Sequence, residues 1–133
     1  MGIKEQQEVK EKYYHEAIRY MDNAKEALKK AGKDGEFYKD KKYVKIACGT
    51  AYSGVLLALD GYLLLKGIDK KKGRKSIEYY QQSLAIVDKK LLNYFNASYQ
   101  TLHLDGYYDG FTGAKIIKGG FEYAYEIIKK IKP

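Results

Sequence analysis

The stretch from Lys41 to Lys66, KKYVKIACGTAYSGVLLALDGYLLLK, limits the possible folds of this chain more than any other. Coiled as a helix it is apolar on nearly every face, and between residues 46 and 65 it carries one charge, Asp60. Such a helix has to be surrounded, either by other helices or by lipid. Ala47, Ala51, Gly54, Ala58 and Gly61 recur at alternating four- and three-residue steps, a flat seam along which another helix can approach closely. Glycine costs a helix interior about 1 kcal/mol relative to alanine, and close packing is the expected compensation. Lipid is disfavoured by Asp60, at roughly +3 kcal/mol near a bilayer centre. Thr50, Tyr52, Ser53 and three glycines weigh the same way. The segment reads as the central helix of a bundle, and no membrane association is expected.

The only proline is Pro133, so nothing in the interior forces a helix to break. Helical periodicity recurs in every long segment, and strict alternation persists nowhere. A first helix is predicted over residues 4–31, with Tyr14, Ala17, Ile18, Met21, Ala24, Leu28 and Ala31 inward and Gly32 closing it. KDGEFYKD reads as a connector with a turn at Asp34-Gly35. Asp40 is placed to cap the central helix, residues 41–66. A third helix is predicted over 75–87, capped by Ser76. A fourth, over 89–105, has Asp88 as cap and Leu91, Leu92, Phe95, Tyr99 and Leu102 inward. GYYDGFTG is expected to end it, and Thr112 to cap a fifth helix reaching residue 131. The expected fold class is all-α: an antiparallel four- to five-helix up-and-down bundle, one domain spanning residues 1–133.

The net charge is +8, and its excess is concentrated. KGIDKKKGRK, residues 66–75, holds six basic residues against one acid. Lys70, Lys71, Lys72, Arg74 and Lys75 therefore form a candidate anion-steering loop, the alternative being a solvated turn. The single cysteine, Cys48, sits in an apolar run and cannot form an internal disulfide. That fits a reducing compartment. The charged start, MGIKEQQEVKEK, predicts no signal peptide, and Gln6 stands where myristoylation wants serine or threonine. A cytoplasmic location is expected.

Chemistry concentrates in NASYQTLHLDGYYDG, residues 96–110. On one helix His103 shares a face with Tyr99 and Asn96, and Asp105, Tyr107 and Tyr108 follow. Histidine has the pKa for proton transfer, and tyrosine or aspartate could orient it or bind a ligand. Equally, His103 could be the satisfied polar end of an inward stripe. Asp60, alone in its apolar helix, must be neutralised by a cation, by tyrosine hydroxyls or by His103. The expectation is a shared pocket in which Asp60 and His103 meet, lined by Tyr52, Tyr99 and Tyr107. The alternative is an Asp60 held by tyrosine hydroxyls for structure alone. Two histidines and one cysteine offer no metal-ligand spacing, and neither a phosphate-binding glycine loop nor a nucleophile elbow is present. No metal or cofactor is expected.

In KYVKIACGTAYSGVLLALDGYLLLKG, preceded by YYHEAIRYMDNAKEALKKAG and followed near the end by FEYAYEIIKKI, the chain resembles HEPN-type helical domains. It looks closest to a small bacterial group marked by LHLDGYYDG. The resemblance implies an antiparallel helical bundle that dimerises. Many such domains are ribonucleases that use an arginine a few residues before a histidine on a late helix. His103 would be that histidine. Asn96, Ala97 and Ser98 stand where the arginine would be, and Arg19 and Arg74 do not precede a histidine at that spacing. Asn96 has no charge for a phosphorane-like transition state. The expected function is thus a non-catalytic binding module for a protein, nucleotide or RNA partner, acting as a homodimer. The alternative is an unconventional metal-independent ribonuclease with His103 as acid/base and the 66–75 loop holding phosphate.

Overall fold

The computed structural model describes residues 1–69 and 71–133. Five α-helices account for most of it: α1 (Ile3–Ala31), α2 (Lys41–Leu65), α3 (Ile77–Val87), α4 (Lys89–Ser98) and α5 (Ala114–Ile128). A π-helix, Tyr99–Tyr108, continues α4, and a 3₁₀ turn, Lys129–Ile131, ends α5. The protein is an all-α bundle, as its periodicity predicts.

Three of the four helix starts that follow connectors are capped as expected. The Asp40 carboxylate accepts from the Lys42 N–H at 3.0 Å, Ser76 from the Tyr79 N–H at 3.2 Å and Asp88 from the Leu91 N–H at 3.0 Å. The second Asp88 oxygen accepts from the Tyr62 hydroxyl at 2.7 Å, so one carboxylate caps α4 and pins it to α2. Burial pushes the Asp88 pKa up, but the Leu91 N–H, the Tyr62 hydroxyl and the nearby Lys130 and Lys66 bring it below its ordinary value.

The packing centres on α2. Val44, Ala47, Cys48, Ala51, Val55, Ala58 and Leu59 are fully buried along it. Its seam serves as read from the sequence: a β-carbon added at Gly61 would lie 2.7 Å from the Tyr13 Cβ, and one at Gly54 would lie 3.3 Å from the Ala17 carbonyl oxygen. Later residues of α2 meet earlier residues of α1, so the two are antiparallel. The same logic orients the other layer. Tyr62 bonds Asp88 while Tyr52 touches His103, so α2 also runs antiparallel to α4 and the π-helix. Tyr94 meets Tyr123, and Gly120 admits Leu102, which sets α5 antiparallel to the same long helix. Lys41–Leu65 is long and apolar enough to cross a membrane, but half of its apolar window is buried inside the bundle. The bundle core accounts for its composition.

Two departures from the sequence reading matter. The connector after α1 holds a short antiparallel hairpin, β1 (Lys33–Asp34) and β2 (Phe37–Tyr38), with Gly35 at φ 63° in its turn. It is stitched to the start of α5 by Tyr38 N–H to Thr112 O at 2.8 Å and Ala114 N–H to Glu36 O at 2.9 Å. Thr112 therefore gives its carbonyl to the hairpin, and Gly113, not Thr112, is the N-cap of α5. The second departure is that the fourth helix does not end near residue 105. It widens into the π-helix and runs to Tyr108, and the break falls at residues 109–113.

Candidate functional site

The π-helix decides where the chemistry of residues 96–110 goes. Runs of i→i+5 hydrogen bonds are rare and recur at functional sites. Here the widening coincides with two close approaches. At Gly106 a β-carbon would overlap the Cys48 sulfur, and at Gly120 it would lie 2.7 Å from Thr101 Oγ1. Thr101 and Ser98 turn their hydroxyls back onto the Ala97 and Phe95 carbonyls, each at 2.9 Å. Side chains five apart now meet: Gln100 donates to Asp105 at 3.0 Å.

This geometry gathers rings around His103. Tyr99, four residues before it, stacks with ring centres 5.2 Å apart, and Tyr107, four after, stacks at 5.9 Å. Tyr108, five after, meets it edge-on at 5.0 Å. In an α-helix that fifth residue would point well away from His103. From α2, the buried Tyr52 closes the cluster at 4.8 Å and stacks on Phe95 in turn. Burial lowers the His103 pKa, which favours the neutral imidazole. Burial, with Tyr99 nearby, raises that of Tyr52 far above the usual phenol value. The cluster opens on a cleft of about 510 Å³, lined by His103 and Tyr107 of the π-helix and by Lys45, Thr50, Tyr52 and Ser53 of α2. Gly49 makes room for it: a β-carbon there would stand 2.8 Å from the Tyr107 ring.

Of the residues singled out in the sequence, Tyr52, Tyr99, His103, Tyr107 and Tyr108 come together. Asp60 does not join them. It lies eight residues beyond Tyr52 on α2, about 12 Å along the axis. There Tyr80 donates to one of its oxygens at 2.9 Å and Lys75 pairs with the other at 3.1 Å. Burial, then Asp60 itself, drives the Tyr80 pKa up. The cavity beside Asp60 is about 10 Å³, too small for a ligand. The alternative structural role for Asp60 therefore fits this geometry, with a lysine added to the tyrosine.

Asn96 is also diverted. It is exposed, and its oxygen accepts from Gln81 of α3 at 2.9 Å. The Asp105 carboxylate is held by Gln100. In the basic loop Lys75 is committed to Asp60, Lys71 lies over the Tyr79 ring at 5.4 Å, and Lys72 and Arg74 are exposed. Lys70 lies outside the described residues. The loop thus sits by Asp60, not by His103. Among the described residues no cluster of His, Cys, Asp and Glu could hold a metal. Sequence reading missed Gly49, whose only signal was a glycine inside a helical segment, and took Gly106 as the first residue of a helix break.

Residues 12–133 match the family described as Domain of unknown function (DUF5618). The chain belongs to the DUF5618 family. A solved structure, a protein of unknown function from Dyadobacter fermentans, is 44% identical to this DUF5618 chain, with a TM-score of 0.81 over 92% of this chain and 94% of that one. No curated protein matches.

Proposed function

We propose that this DUF5618 chain is a HEPN-like, non-catalytic binding module that takes a planar, nucleotide-like ligand into the His103 cleft. The ladder of stacked rings Tyr99, His103 and Tyr107 carries this reading, because it ends in a half-exposed tyrosine at an open cleft. Stacking of a base on such rings contributes about 1–3 kcal/mol per base. Lys45, Thr50 and Ser53 supply polar partners along one wall. The volume falls within the ~300–1,000 Å³ typical of small-molecule sites.

The ribonuclease alternative has less support. His103 is bordered by the rings of Tyr52, Tyr99, Tyr107 and Tyr108, Asn96 is engaged by Gln81, and the basic loop stands at the far end of α2. Two measurements on wild type and His103→Ala separate the readings. Under the binding reading, adenosine and uridine monophosphates shift the amide signals of residues 49–53 and 103–108, Tyr107→Ala weakens this about tenfold, and both proteins leave bulk RNA intact. Hydrolysis by wild type that is absent from His103→Ala would establish the nuclease instead.

A second reading, a homodimer along the outer face of α2, is favoured by Ile46, 45% exposed beside the same cleft, and by half-buried Leu56. Sedimentation showing only monomer at high micromolar concentration would remove it.

A further inference from the structure

The hairpin end of the bundle holds another cleft, of about 330 Å³, between the last turns of α1 and the hairpin. Leu28, Gly32 and the Tyr38 ring wall it, and Lys25, Lys29 and Lys33 rim it. Tyr38 is the unusual member. It is only 6% exposed. The buried Tyr62 and Tyr80 give their hydroxyls to Asp88 and Asp60. The Tyr38 hydroxyl has no such acceptor among the described residues.

Two cations converge on it. Lys33 Nζ stands 5.9 Å from the centre of its ring. Lys118, carried by α5, lies near enough to oppose the rise that burial gives the Tyr38 pKa. Lys118 also lowers the pKa of Lys33, the effect of one ammonium group on another beside it. The ion pairs among the described residues engage His15, Arg19, Lys29, Lys75 and Lys129 but neither Lys33 nor Lys118. Lys33 lines both this cleft and the neighbouring one, which Lys118 also lines, so two like charges meet where the clefts adjoin, beside a phenol and a wall that is largely hydrocarbon. An acidic group bound there would relieve the repulsion and accept from the phenol.

We infer that the Tyr38 cleft binds a small amphipathic organic anion, of which a medium-chain carboxylate is the simplest member. Its hydrocarbon body lies against Leu28 and the Tyr38 ring. Its head accepts from the Tyr38 hydroxyl and pairs with Lys33 and Lys118. The volume lies at the lower end of the small-molecule range, ~300 Å³. The inference does not depend on the His103 cleft.

Octanoate, octanol and inorganic phosphate, titrated separately and followed by amide chemical shifts, test it. Octanoate is expected to saturate shifts at Leu28, Gly32 and Tyr38, with octanol and phosphate each at least about tenfold weaker. Lys33→Ala with Lys118→Ala should weaken octanoate about tenfold or more, and Tyr38→Phe severalfold. Both lysines are exposed, so the double variant is expected to fold. Lys33→Arg with Lys118→Arg keeps the charges, should retain binding, and replaces the alanine pair if that unfolds. Octanol binding as tightly as octanoate, an alanine pair that folds and binds unchanged, or no shift at about 10 mM octanoate would each overturn the assignment.

Discussion

Lys75 reaches from the loop before α3 to within 3.1 Å of Asp60, and both side chains are largely buried, at 16% and 18% exposure. Asp60 has its other oxygen on Tyr80, so the one acid in the apolar stretch is satisfied on both sides. Its demand for neutralisation could be read from the sequence, because a carboxylate in the middle of a buried helix has no water of its own.

Removing one partner should therefore cost more than removing both. Lys75→Met is expected to destabilise by about 2 kcal/mol, between the values for exposed and fully buried pairs. Asp60→Asn with Lys75→Met should recover part of that loss, since an amide needs no counter-charge and can still accept from Tyr80. Urea unfolding of the two singles and the double gives the coupling directly. Simple additivity would show that the pair is incidental.

His103 predicts a pH dependence. Burial places its folded pKa below the unfolded value of 6.5, so the unfolded chain binds the proton more readily. Stability from this group is complete above about pH 6.5, falls as pH drops through that value, and stops falling below the folded pKa. His103→Gln should remove this component. Urea midpoints at pH 7.5 and 5.5, compared between wild type and variant, read it out; an equal loss in both would contradict it.

Gly106 predicts a packing failure. A β-carbon there would overlap Cys48 and lie 3.2 Å from the Thr101 carbonyl oxygen. Gly106→Ala is expected to cost about 2 kcal/mol by overpacking and to disturb the near-ultraviolet dichroism of the tyrosines around His103. Cys48→Ala should restore only part of this, because the Cys48 β-carbon would itself be 2.6 Å away. Full rescue would mean that the sulfur alone sets the spacing.

The elements legible in the sequence were those fixed by local chemistry. The caps at Asp40, Ser76 and Asp88 and the close of α1 at Gly32 each depend on one side chain or one glycine and its immediate backbone. The Ala/Gly seam of α2 was legible because it is periodic. The π-helix was not, since its coil widens where Gly106 meets Cys48 and Gly120 meets Thr101, contacts between residues far apart in the chain. For the same reason Asn96 and His103 seemed to share a task, whereas α3 claims Asn96 through Gln81. The approach of Lys33 to Lys118 joins a hairpin to a helix more than eighty positions later, beyond the reach of any period.

The π-helix also makes the number of residues matter. Deleting any one position between Tyr99 and Tyr108 would let the coil tighten to ordinary α pitch, turning everything after the cut by about 100°. Gly106 would swing off Cys48, Tyr108 would leave the imidazole, and the segment that reaches the hairpin would start from the wrong side of the barrel of helices. A substitution here changes one contact, whereas a lost residue would re-thread the whole aromatic cluster, so the length of this segment is as much a part of the site as its tyrosines.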